Sequence, residues 1–296
     1  MEFRIFFGGH SAAHNHIRAQ LNANRELLEA NGICLPTHKV MEAAVWPAIR
    51  DIRKKKADES TLPKLIKGLT GGKEYKTVLI IRPSISGSPL RPIKDDIIYP
   101  RGSATMAQLT KLMGEENVRL FCAVRNPASF LPSCYNLAYK DDQTLRFQDY
   151  VKLSDPYALR WSEYLHRIQG RESEMPLTVW AYEDYPYMWR SAVQAFADLP
   201  NKEELVAADA HFDNGITVQG LTLMQEYLKK HPPENAAKRE QIAAKFSDRF
   251  PMSGVEVIPD IWPEELTETL TDSYDDDLYY IERMDNVQMI KQPDWE

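Results

Sequence analysis

The sequence predicts an α/β fold: a doubly wound parallel sheet with a helical C-terminal part. Three observations carry this. Four short runs, at residues 4–7, 78–81, 118–124 and 177–182, are almost continuously apolar rather than alternating, as strands are when both sheet faces are covered. Segments of helical periodicity separate them, and strand–helix alternation implies a parallel sheet with crossover connections. After Leu205 the strand signal fades and helical patterns take over.

In chain order, the first run meets Gly8, and a helical segment follows whose apolar stripe is Ile17, Leu21, Leu27, Leu28 and Ala30. Gly32 reads as its C-cap, ahead of a short fifth run at 33–35. Arg50, Arg53, Lys54, Lys55 and Lys56 read as a solvated helix end, where cations are favoured, with contact to an anionic substrate as the alternative. Met106, Leu109, Leu112 and Met113 give a second stripe before the third run. Past that run, Asn126 suits an N-cap and Pro127 the first helical position; Pro132 is expected to kink the helix they start. Helical patterns then cover 221–230, 236–246 and 263–284, with the acidic stretch 275–277 read as a solvated face. The expectation is one domain: an α/β core over 1–205 with a helical part over 206–296 packed on it.

The formal charge of −7 argues against general nucleic-acid binding, which needs a basic face. Cys34, Cys122 and Cys134 are too few and too scattered for a disulfide framework or a zinc ribbon. There is neither a basic n-region with a long apolar run nor a stretch approaching the ~20 apolar residues of a membrane helix. A soluble, reducing, cytoplasmic setting is the expectation.

In such sheets ligands bind outside the carboxyl ends of the strands, and two ends carry unusual chemistry. The first reads Gly8-Gly9-His10-Ser11-Ala12-Ala13-His14-Asn15-His16. A strand, a small-residue turn and a helix N-terminus make an anion cradle. Its histidines invite a metal reading, but His10 precedes the helix and His14 and His16 point about 200° apart on it, with no nearby carboxylate or cysteine to complete a set. The turn also lacks the second glycine and the lysine of a phosphate-binding kinase loop, and no G-x-G-x-x-G follows any strand. The second end reads Arg125-Asn126-Pro127-Ala128-Ser129-Phe130-Leu131-Pro132-Ser133. Arg125 is a cation at the mouth of the sheet, suited to a bidentate phosphate contact or to a stabilising carboxylate partner.

This second stretch resembles the 3′-phosphate-binding motif R-N-P-x-x-x-x-x-S of sulfotransferases that use 3′-phosphoadenylyl sulfate (PAPS); Arg125 and Ser133 match both residues and their spacing. Leu21, Asn24, Arg25, Leu28, Gly32 and Pro36 look like the segment that follows the phosphosulfate loop in bacterial members. Trp180-Ala181-Tyr182-Glu183-Asp184 is similar to their R-x-Y-E-D strand end, and Asp213-Asn214-Gly215-Ile216-Thr217 to their N-x-S segment. The resemblance runs in one register along nearly the whole chain and implies the sulfotransferase branch of the P-loop fold. It implies that Arg125 and Ser133 hold the 3′-phosphate of PAPS or of its product, adenosine 3′,5′-bisphosphate.

The opening loop departs from the family. Its phosphosulfate loop reads close to G-T-H-K-T-G-T-T, against Gly8, Gly9, His10, Ser11, Ala12, Ala13, His14 and Asn15 here. Ser11 stands where the lysine belongs, Ala13 replaces the glycine, and His14 and Asn15 replace two hydroxyl residues. Backbone N–H groups at the helix N-terminus still attract an anion. What is lost is a charge that in the family stabilises the leaving phosphate, a role of about 10²–10³ in rate per donor. Ala13 hinders the turn if its position needs positive φ. His10, His14 or Arg18 are candidates to replace the charge, Arg18 lying one turn after His14 on the same face.

Related enzymes take their general base from near the second strand end. The stretch 80–89 offers no carboxylate or histidine, which leaves His14. The expected function is sulfuryl transfer from PAPS to an acceptor hydroxyl of a small molecule or glycan, with Ser11 and His14 at the reacting end and no metal. The alternative is a sulfotransferase-fold protein that binds a nucleotide or glycan without transfer.

Overall fold

The structure, a computed structural model, describes residues 1–141, 145–170, 175–201, 204–208, 210, 218–231, 236–250 and 263–291. Strand β1 (Glu2–Phe6) leads through a loop into α1 (His14–Ala23) and α2 (Arg25–Ala30). Then come β2 (Ile33–Cys34), α3 (His38–Arg53), α4 (Thr61–Thr70) and β3 (Thr77–Ile81). A small antiparallel hairpin of β4 (Ile93–Lys94) and β5 (Ile97–Ile98) precedes α5 (Gly102–Met113), β6 (Val118–Val124) and α6 (Pro127–Asp141). The chain continues through α7 (Phe147–Tyr150), α8 (Trp161–Gln169), β7 (Leu177–Ala181) and α9 (Tyr185–Ala197). Helices α10 (Val218–Lys230), α11 (Ala236–Arg249) and α12 (Glu264–Ile281) lead to β8 (Val287–Met289).

The main sheet has the order β2-β3-β1-β6-β7-β8, and each recorded pairing in it is parallel. Successive strand residues serve opposite faces, and both faces are covered. Phe3, Ile5, Val78, Ile80, Leu120 and Cys122 join residues of α3, α4, α5, α6 and α8 in one core. Phe6, Leu79, Ile81, Phe121 and Trp180 join α1, α2 and α9 in the other. This is why the central strands read as unbroken apolar runs. Strand β1 lies at the sheet's centre, with the chain reaching β3 and β2 on one side and β6 to β8 on the other. The order therefore reverses beside β1, the switch point at which such sheets bind ligands.

The five expected strands are all present, that at 118–124 with the expected bounds and the others with ends displaced by at most two residues. Asn126 caps α6 as expected, its Oδ1 accepting from the Ala128 N–H at 2.9 Å, and the helix continues through Pro132. Three readings are corrected. The first helix breaks at Asn24, whose φ of −112° and ψ of 26° divide it into α1 and α2. The helical C-terminal part also supplies a strand, since β8 pairs with β7 at the sheet's edge. The acidic stretch 275–277 is not uniformly a solvated face. Asp275 and Asp276 are exposed, but Asp277 is buried and accepts from the Trp161 and Ser162 N–H groups at 2.6 and 3.1 Å. It caps the start of α8, where a carboxylate also suits the helix dipole. The segment 213–217 lies outside the described residues.

Candidate functional site at the switch point

The loop after β1 stays against β6 before it turns. Phe7 and Gly9 donate to the carbonyls of Phe121 and Ala123 at 3.1 and 3.2 Å, extending the sheet ladder. At Gly8 an added β-carbon would lie 2.7 Å from the Ala123 backbone nitrogen, so only glycine fits that approach. Ser11 and Ala13 then adopt left-handed φ of 53° and 64°. Non-glycine residues there cost about 1–2 kcal/mol each, and the surroundings must hold them in place. Helix α1 begins with no side-chain cap and no acidic residue in its first turn, leaving the N–H groups of that turn for another acceptor.

Three side chains brace the turn. Arg125, with no exposed surface, donates through Nη1 to the Ser11 carbonyl and through Nε to Ser129 Oγ, and its guanidinium lies 4.3 Å over the Tyr182 ring. Ser86 Oγ donates to the Phe7 carbonyl. Tyr99, at the end of the β4–β5 hairpin, accepts from the His10 N–H at 3.1 Å and bonds His10 Nδ1 at 2.6 Å. Glu183 braces the neighbouring strand end: it accepts from the Asn126 N–H at 2.9 Å and from the Tyr274 hydroxyl at 2.8 Å, tying α6 to α12.

In front of the turn, among α1, α3 and the end of β3, lies a pocket of about 300 Å³. His10, His14, Asn15 and Arg18 line it from the first strand end, His38, Glu42 and Trp46 from α3, and Arg82 from just past β3. Arg82 is buried, stacks 4.8 Å over the Trp46 ring and meets Glu42 at 3.2 Å. Arg18 donates Nη2 to the Ile81 carbonyl at 2.9 Å. Three buried nitrogens of the lining have no partner among the described residues: His14 Nδ1, Arg18 Nη1 and Arg82 Nε. Burial lowers the pKa of His10 to about 4; burial, then the neighbouring His10, Arg18 and His38, lowers that of His14 to about 3. Both imidazoles are therefore neutral at pH 7, and the charges facing the pocket include the Arg18 and Arg82 guanidiniums and the Glu42 carboxylate.

No family model, curated protein or solved structure matches the chain.

Of the residues singled out in the sequence, His10, His14 and Asn15 line the pocket, while Gly8, Gly9, Ser11, Ala12 and Ala13 form the buried turn behind it. Arg125 and Ser133 are buried on the α6 side and do not line it among the described residues. His16 faces away, with Nδ1 2.8 Å from the Tyr185 hydroxyl, so the three histidines do not converge. Among the described residues no cluster of histidine, cysteine and carboxylate side chains could hold a metal ion. Sequence reasoning missed Arg82, His38, Glu42 and Trp46. Arg82 was visible by the logic applied to Arg125, as a cation at the carboxyl end of a buried strand. The other three depend on where α3 docks, which its own amphipathic pattern does not fix.

Proposed function

We propose that the protein binds PAPS at this strand end and transfers its sulfuryl group to an acceptor hydroxyl of a small molecule or glycan. The observation that supports this is the backbone at Ala13. The resembled loop carries glycine there, and here the position has a left-handed φ of 64° although its residue is alanine. The turn keeps the conformation that the family's glycine allows, and it opens on a pocket with unspent donors.

In this reading the first-turn N–H groups of α1 hold the 5′ group, and Arg18 and Arg82 stand in for the lysine that Ser11 replaces. In transfer, the bond from sulfur to the bridging oxygen breaks with its electrons going to the phosphate, and sulfur bonds the acceptor oxygen. The acceptor's proton goes to a base. His14, with its pKa lowered to about 3, is a weak base. His38, exposed on the pocket's edge with Glu42 3.9 Å from its Nδ1, is better placed to take the proton. Calorimetry with adenosine 3′,5′-bisphosphate tests the site, and a transfer assay from PAPS to a panel of sugars and phenols tests the reaction. Absence of bisphosphate binding overturns the reading.

One observation favours a second reading, a nucleotide- or glycan-binding protein without transfer. Arg125, the residue that resemblance assigns to the 3′-phosphate, is wholly buried and bonded to the Ser11 carbonyl. Binding without turnover across the panel would select it.

A further inference from the structure

The charge that the loop lacks stands on two other elements. Arg18 is in the second turn of α1, and Arg82 follows β3. Each spends part of its guanidinium on the protein, on the Ile81 carbonyl and on Glu42, and each keeps one buried nitrogen unpartnered. They also oppose each other: burial and the Arg82 charge together pull Arg18 below the usual arginine range. Glu42 offsets one of the two like charges; the other, with the unspent N–H groups of both, is costly in a pocket of about 300 Å³ until a further anion enters.

His10 adds an uncharged donor. Tyr99 is buried and its oxygen already accepts from the His10 N–H, so among the described residues its own proton is left with His10 Nδ1 as partner. An imidazole accepting at Nδ1 while neutral carries its proton on Nε2, and His10 lines the pocket. The other charged or titratable side chains lining it are His14, His38 and Glu42, the last paired with Arg82.

We infer that Arg18 and Arg82 form a guanidinium pair that binds a doubly charged tetrahedral group, the phosphomonoester dianion, in the place where the family's loop uses lysine. The inference deepens the donor reading: when the sulfur–oxygen bond breaks, the phosphate passes from one negative charge to two. A pair that prefers the dianion binds the leaving group more tightly than the intact donor, and such differential binding lowers a barrier.

The test is calorimetric titration of the full chain at pH 8 with methyl phosphate and methyl sulfate. They share a shape and differ by one charge, since a phosphomonoester loses its second proton near pH 6. Methyl phosphate is expected to bind at least about tenfold more tightly, and each of Arg18→Gln and Arg82→Gln to weaken it by about tenfold. Equal affinity for the two anions, or unchanged affinity in either variant with wild-type circular dichroism, overturns the pair. Glu42→Gln, at a half-exposed position, keeps the test independent of folding defects. It frees Arg82 of its carboxylate and is expected to raise methyl phosphate affinity severalfold; no gain removes Arg82 from the site. Methyl phosphate binding without adenosine 3′,5′-bisphosphate binding rejects the donor reading and leaves the pair standing.

Discussion

Arg125 donates to the carbonyl oxygen of Ser11 across 114 residues of sequence, and by that bond the end of β6 holds the turn that follows β1. The guanidinium is fully buried, and carbonyl, hydroxyl and aromatic-face contacts together with the charge of nearby Glu183 help to offset its own. Arg125→Leu removes these bonds and leaves a buried carbonyl unsatisfied, a loss expected at about 2–4 kcal/mol. Arg125→Lys, which cannot bond Ser11 and Ser129 together in the same fork, is expected to recover less than half of it. Urea denaturation of the two variants checks the order; a silent Arg125→Leu would show that the bond does not hold the turn.

The left-handed turn makes a contrast between two substitutions at one position. Ala13→Val places a β-branched side chain at φ 64° and is expected to cost at least about 2 kcal/mol. Ala13→Gly removes the conformational penalty but also a buried methyl and some chain rigidity, and is expected to stay within about 1 kcal/mol of the wild type. Equal effects of valine and glycine would rule out backbone conformation as the cause.

Stability should fall on the acid side of neutrality. The folded-state pKa of His10 is about 4, of His14 about 3 and of His16 about 4, lowered chiefly by burial from an unfolded value near 6.5. A histidine whose pKa is lowered on folding takes up its proton on unfolding, so stability is full above pH 6.5 and is lost as pH falls toward the folded values. With close to three protons taken up, the slope near pH 5.5 approaches about 4 kcal/mol per pH unit. Glu183 and Asp277, whose pKa values burial raises, work in the opposite sense toward the acid end. Denaturation curves at half-unit steps from pH 7.5 to 5, repeated on His10→Gln, should show the decline and a shallower one in the variant. A flat profile would count against buried neutral histidines.

Two amides, Gln20 on α1 and Asn24 at its C-terminal end, fix the chain that follows α9. Gln20 bonds both the N–H and the carbonyl of Ala208, at 2.7 and 3.0 Å, and Asn24 does the same for Val206 at 2.8 Å each. Spaced one helical turn apart, they copy the pairing of a neighbouring strand. Gln20→Leu leaves both Ala208 groups unpaired, with an expected cost of about 2–3 kcal/mol. Limited proteolysis should cleave the variant faster near residue 208. Unchanged cleavage would mean that the amide does not secure the segment.

What the sequence shows and hides follows from the reach of each interaction. The strands that are buried on both faces were legible because burial dictates each of their residues. Strand β8, three residues at the sheet's edge and only half-buried, leaves no such trace. Asp277 looks like Asp275 and Asp276 by composition, yet it falls on the stripe of Leu270, Ser273, Tyr274 and Ile281 that α12 buries, and that spacing was readable. The loop was recognisable as a strand–turn–helix connection, and so as a candidate anion site, from its glycines and the helix after it. The arginine pair was not, because it joins α1 to the end of β3 through the docking of helices, and no local pattern records that.

The braces on the turn come from far along the chain: Ser86 lies 79 residues from Phe7, Tyr99 lies 89 from His10, and Arg125 lies 114 from Ser11. Contacts of such separation need long loops to close, so the turn has all its braces only once β6 and the hairpin have docked. A nascent chain that has made β1 and α1 has the sequence of the cradle without its shape. If the turn takes up an anion as proposed, that ligand selects the finished molecule over the partly folded ones. It would stabilise the protein by RT ln(1 + [L]/Kd), so phosphate in a refolding buffer would act on yield as well as on the site.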